Sequence, residues 1–187
     1  MAVKTCRRYE DFSVITRSSS LQALADNNEQ LSDDNIEHLM QACDSFSTFA
    51  DVNSALAHIA ADPTIQAVIF SNRTTTMVSN SVLRFKDRSP HASVLHDIVT
   101  VDEVQQYKPS KASYEHLDNP DPSHMGKLWL ISGNPFDIVG ARATDMQAIM
   151  GRDGRMPWRQ IYSQRALYSL EHIMNEIHCH RLESQGF

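Results

Sequence analysis

The chain has 187 residues, of which 41% are hydrophobic and 21% charged, and a formal net charge of -6. That length and balance permit a continuous buried core and suit one compact domain with a small appended one. The acidic balance excludes a broad phosphate-binding face, which needs concentrated Lys and Arg, so no nucleic acid or anionic membrane is expected as a partner and a small-molecule substrate is.

In chain order, Leu21 to Ala25 reads as the end of a helix stopped by Asp26, Asn27 and Asn28. Ser32 and Asp33 offer N-caps for a second helix, in which Ile36, Leu39, Met40 and Cys43 recur at i, i+3, i+4 and i+7. Asp51 is placed to cap a third, with Val52, Ala55, Leu56, Ile59 and Ala60 on one face and Asp62-Pro63 as its breaker. Gln66 to Phe70 is a short apolar run of the kind found in buried parallel strands, ending at Ser71 and Asn72. Ile98 to Val101 is a weaker strand candidate, preceded by His96-Asp97, and Leu128 to Ile131 a clear one that ends at Ser132-Gly133-Asn134. Asp118 to His124 reads as a loop, Ala141 to Ile149 has helical spacing, Gly151 to Gly154 is a turn, and Ser163 to His178 is helical again. Strands separated by helical patterns imply an α/β sheet with crossover helices.

Cys6, Cys43 and Cys179 form an odd, scattered set without a CxxC pair, which points to a reducing compartment, the cytoplasm, and not to a disulfide framework. No apolar stretch follows the basic residues near the N-terminus, and no window approaches a membrane span, so neither a signal peptide nor a spanning segment is expected.

In open parallel sheets, ligands bind beyond the carboxyl ends of the strands. Both clear strands end there in small polar residues, Ser71-Asn72 and Ser132 with Asn134, which otherwise serve only as helix caps. Lys108, just before Pro109, is either a solvated surface lysine or a fixed cation for a carboxylate or phosphate held over the strand ends. Asp137 is placed to orient that lysine through an ion pair or to act as a base. His91, His96, Asp97 and Asp102 are further titratable candidates beside a reading as surface groups.

These elements, in this order, resemble three motifs of the haloacid dehalogenase superfamily. Ile69-Phe70-Ser71-Asn72 with Thr74 to Met77 is similar to the second motif, and Val101 to Pro109 with Tyr114 to the third. Trp129 to Asp137 with Gly140-Ala141 resembles the fourth as 2-haloacid dehalogenases write it. Arg8-Tyr9-Glu10-Asp11-Phe12 and the helix through Cys43 look like the helical cap of that family, so the resemblance implies a cap-like segment over residues 1–50 and an α/β core over residues 51–187. It weakens after Met146, where Gln147 to Met150 is a poor counterpart of another family strand.

Carried over, the resemblance implies that Ser71 and Asn72 bind a substrate carboxylate while Lys108 stabilises charge, with Tyr114, Ser132, Asn134 and Asp137 completing the polar floor and Phe136 lining the pocket. Lys108, Asp137 and His96 are the catalytic candidates. Arg73 stands where the family usually has a glycine, which puts the conformation of that loop in question. No cofactor and no metal are implied, and His178-Cys179-His180 is a poor ligand set because adjacent positions on a helix face different ways.

The family begins with an apolar central strand that ends in its nucleophilic aspartate, and no counterpart is found before Arg7. The expected fold is therefore a Rossmann-like parallel sheet without its first, central strand. Ordinary covalent dehalogenase or phosphatase chemistry needs that carboxylate and is not expected. Each buried backbone group left unpaired costs about 1–3 kcal/mol, so the gap must be closed. Direct pairing of the strands at 66–70 and 128–131 is the preferred solution, completion by a second chain the other, and a homodimer is expected. Three readings stay open: an acid–base enzyme for cyclisation, isomerisation, dehydration or water addition on a small acid; an inactive binding or interaction protein; and a fragment of a 2-haloacid dehalogenase.

Overall fold

The computed structural model describes residues 9–43, 52–86, 90–118 and 122–151. The expected cap at Asp51, the helix at 163–178 and His178-Cys179-His180 lie outside them.

Two helices come first. α1 (Phe12–Asp26) starts where Asp11 accepts the Ser13 and Val14 N–H groups, and Asn28 follows its end at φ 56°. α2 (Asp33–Cys43) starts after Ser32, whose hydroxyl accepts the Asn35 N–H, and buries only Ile36. The sequence reading found the end of α1 but not its first turns, because α1 buries none of its residues and so carries no apolar stripe.

α3 (Val52–Ala61) leads to β1 (Ala67–Ser71), α4 (Thr75–Lys86) and β2 (Leu95–Thr100); then come α5 (Lys111–Glu115), β3 (Trp129–Ser132), α6 (Pro135–Arg142) and β4 (Gln147–Met150). α4 was not foreseen as a helix, Thr74 to Met77 reading only as part of a motif. β2 starts three residues earlier than expected, so His96 and Asp97 lie inside the strand and not ahead of it. The helical spacing at 141–149 is also overturned: the helix ends at Arg142, Asp145 turns at φ 63°, and β4 follows.

β1 pairs with β2 in parallel, from Ala67 opposite Leu95 to Ser71 opposite Thr100. β3 pairs with β4 in parallel, Trp129 opposite Gln147 and Ser132 opposite Met150. Among the described residues these are two separate two-stranded sheets, so the expected direct pairing of β1 with β3 does not occur. Side chains link the two strands where backbone ladders do not, as the site below shows.

The second sheet has the two-residue alternation of a strand pair covered on both faces. Leu130 and Ala148 join Tyr114, Met125, Ala141 and Met146 in one cluster, to which β1 contributes Phe70. Trp129, Ile131 and Ile149 turn the other way, onto Ala55 and Ile59 of α3. Gly140 of α6 is fixed by this packing, because a Cβ there would stand 2.5 Å from the Tyr114 ring.

Candidate functional site

Local structure brings the polar residues together at the carboxyl ends of the strands. After β3 the chain turns at Gly133, and Asn134 caps α6 by accepting the Phe136 N–H at 3.0 Å, with Pro135 in the first turn. Asp137 therefore lies in the first turn of α6, beside the end of β3. The Ser132 hydroxyl donates to Asp137 Oδ2 at 2.9 Å and accepts the Asn134 N–H at 3.1 Å.

Lys108 reaches the same carboxylate from the loop before α5. Its Nζ is 3.2 Å from Asp137 Oδ2, with side chains only 7% and 10% exposed, and it also donates to the Phe70 carbonyl of β1 at 3.0 Å. The ammonium sits 4.4 Å from the centre of the Phe70 ring, a cation–π contact. Lys108, Asp137 and Ser132 thus form a chain of contacts from β1 to β3, and the ion pair expected from the sequence is present.

Asn72 holds this lysine from behind. Its Oδ1 accepts the Lys108 N–H at 2.8 Å and its Nδ2 donates to the Lys108 carbonyl at 3.4 Å. Ser71 accepts the Arg73 N–H at 3.0 Å, and Arg73 is absent from the non-glycine residues at positive φ, so the arginine needs no glycine-like backbone. Tyr114 is fully buried and donates its hydroxyl to the Asp137 carbonyl at 3.0 Å. Burial, and then the nearby Asp137 charge, push the Tyr114 hydroxyl above its ordinary pKa, so it remains a donor.

The structure therefore gathers Ser71, Asn72, Lys108, Tyr114, Ser132, Asn134 and Asp137. It does not gather the other two candidates. Phe136 is 67% exposed. His96 is exposed near the amino end of β2, four positions before Thr100, roughly 13 Å along a strand from the polar cluster. Asp97 is exposed and accepts the Ile98 N–H, while Asp102 takes up Tyr9 and the start of α4. Sequence reasoning missed the buried Thr100, whose hydroxyl meets that of Thr75 at 2.8 Å. The only signal for it was its place at a strand's carboxyl end.

Among the described residues no group of three or more His, Cys, Asp or Glu side chains is arranged to hold a metal ion, and no helix is long and apolar enough to cross a membrane.

An α/β fold of the haloacid dehalogenase type is what the sequence resemblance implies. Solved structures bear out that fold. The L-2-haloacid dehalogenase of Xanthobacter autotrophicus with chloropropionic acid covalently bound is similar over 91% of this chain and 77% of its own, at a TM-score of 0.73 and 18% identity. A second L-2-haloacid dehalogenase matches over 92% and 74%, with a TM-score of 0.74 and 18% identity. A dehalogenase with an intermediate complex matches over 91% and 74%, with a TM-score of 0.70 and 22% identity. No family profile matches the chain, and no curated protein sequence does.

Proposed function

We propose that this chain binds a small organic acid over Lys108 and acts on it by acid–base chemistry, not through a covalent aspartyl ester. One observation carries the reading: a buried ammonium held at the strand ends by Asp137 and the Phe70 carbonyl. Two of its N–H donors are thereby committed, and the third has no partner among the described residues. The Ser71 hydroxyl accepts the Arg73 N–H, and its own proton has no acceptor among them. Two such neighbouring donors suit a carboxylate. The dehalogenase with chloropropionic acid covalently bound supports small 2-substituted acids as the ligand class.

Asp137 Oδ2 carries both the Lys108 and the Ser132 contacts, and Oδ1 receives no donor among the described residues. It is the base of this proposal, taking a proton from the carbon beside the ligand carboxylate while Lys108 stabilises the resulting charge. Such a step serves isomerisation, dehydration, water addition or cyclisation. His96, exposed within β2, has no part in it. A second reading, binding without turnover, draws on Asn72, Asn134 and Tyr114, whose polar groups are spent on the protein's own backbone.

Calorimetry with 2-chloropropionate and lactate, joined to proton NMR in deuterated buffer, tests both. The acid–base reading expects binding, loss of the ligand's α-proton signal and no halide release, with binding abolished in Lys108→Met and exchange abolished in Asp137→Asn. Binding without α-proton exchange selects the second reading, and no binding of either acid overturns both.

A further inference from the structure

We propose that the α1–α2 hairpin is clasped at both ends to the two loops that carry Ser71 and Lys108, with Tyr9, Asp102, Tyr107 and Arg73 as positioning residues for the site. The hairpin is weakly held by burial: α1 buries no residue and α2 only Ile36. Its placement therefore depends on its ends.

At the entry to α1, the Tyr9 hydroxyl donates to Asp102 Oδ1, while Asp102 Oδ2 accepts the Thr75 N–H at 3.3 Å, at the start of α4. The Tyr9 and Tyr107 rings lie 5.3 Å apart, Phe12 meets Tyr107 at 6.4 Å, and the Tyr107 hydroxyl donates to the Glu10 carbonyl at 2.6 Å. Tyr107 is the chain neighbour of Lys108. Burial, with the Asp102 hydrogen bond second, raises the Tyr9 pKa and keeps the hydroxyl a donor.

At the exit, the Arg73 guanidinium donates to the carbonyl of Cys43, the last residue of α2, and to the Ser81 hydroxyl of α4 at 3.2 Å. The backbone N–H of the same arginine holds Ser71. Asn72 joins this loop to Lys108. The contacts close a ring: hairpin entry, Tyr107 and Lys108, Asn72 and Arg73, hairpin exit. A shift of the hairpin must break one of these bonds or move Lys108 or Ser71. Arg73, anomalous against the family pattern, is the residue that closes the ring.

Linkage then requires that a ligand which stabilises Lys108 also stabilises the hairpin ends, and the reverse. The ligand arm rests on the organic-acid reading above; the exchange arm does not. Hydrogen exchange on the full chain is compared with Tyr9→Phe, which keeps the ring stack, and Arg73→Met, which keeps the stem. Each variant is expected to speed exchange of amides 104–108 and of the first turn of α1 by about fivefold, the weight of one hydrogen bond. Each is also expected to weaken 2-chloropropionate binding by a similar factor while the urea midpoint barely moves, and Arg73→Lys should recover part of that loss.

Unchanged exchange at 104–108 in both variants overturns the clasp. Faster exchange with unchanged affinity overturns the positioning role. If the parent chain binds no acid, the functional reading has failed, and the exchange arm alone decides the clasp. Should either variant fail to fold, Tyr107→Phe, which removes only the hydroxyl bonded to Glu10, is read by the same two measurements.

Discussion

The strand-end floor and the α1–α2 hairpin are built in opposite ways. In the floor, Asp137 alone receives Lys108 and Ser132 on its carboxylate and Tyr114 on its carbonyl, and Lys108 is held by Asn72, Phe70 and Asp137 together. The hairpin leaves Val14, Ile15, Leu21, Leu31 and Leu39 exposed, buries Ile36, and is hydrogen-bonded to the site's loops at its ends. A change in the floor removes a shared support and should be felt globally, whereas a change in the hairpin should stay local.

The largest expected effect comes from breaking the floor at its hub. Asp137→Ala leaves the Lys108 ammonium buried with the Phe70 carbonyl as its one remaining acceptor among the described residues. Removing one partner of such a pair costs about 3–5 kcal/mol. Urea denaturation measures this, and a loss below about 1 kcal/mol would mean that the floor is no more integrated than the hairpin. Lys108→Met should cost less, since the Asp137 carboxylate keeps the Ser132 hydroxyl.

A smaller effect is expected where the floor rests on the core. In Gly140→Ala the new methyl carbon must occupy a point 2.5 Å from Tyr114 Cε2 and its hydroxyl oxygen, and the buried ring has no room to turn away. Overpacking of this kind costs about 1–3 kcal/mol. The ring's bond to the Asp137 carbonyl should lengthen with it, so thermal denaturation and 2-chloropropionate affinity are expected to fall together. An unchanged melting temperature would show that Tyr114 has slack.

The same division explains what the sequence made legible. β3 announced itself because a continuous apolar run is what a strand covered on both faces requires, β1 by the same kind of run although Val68 is exposed, and α2 because Ile36 anchors its stripe. α1 was half hidden, since a helix that buries nothing writes no period. β2 was misjudged at its start because His96 and Asp97 are exposed there and interrupt the apolar pattern. At 141–149 local spacing favoured a helix, and only the turn at Asp145 and the pairing of β4 with β3, residues distant in sequence, decided for a strand. In the site, the ion pair of Lys108 with Asp137 was foreseen from residue type and position. That Asn72 would grip the Lys108 backbone, 36 residues away, and Arg73 the end of α2, 30 residues away, was beyond any local pattern.

The smallest expected effect probes the hairpin alone. Asp11 caps α1 by accepting the Ser13 N–H at 2.8 Å, the Ser13 hydroxyl at 2.6 Å and the Val14 N–H at 3.1 Å. The Ser13 hydroxyl and then the Val14 N–H hold its carboxyl below the ordinary pKa. A carboxylate whose pKa is lowered on folding stabilises the folded form above its unfolded value, near 3.9, and that contribution is lost as pH falls through the lower folded value. Asp11→Ala should therefore cost about 1 kcal/mol at neutral pH. The cost should appear as local fraying of α1. Below the folded pKa the parent chain should come to resemble the alanine variant. Asp11→Asn, which caps without titrating, should differ from both by holding α1 at every pH. Amide shifts of Ser13 and Val14 followed by NMR from pH 7 to 2 read all three chains. If the alanine variant instead lowered the urea midpoint as far as Asp137→Ala does, the hairpin would be as integral to the fold as the floor.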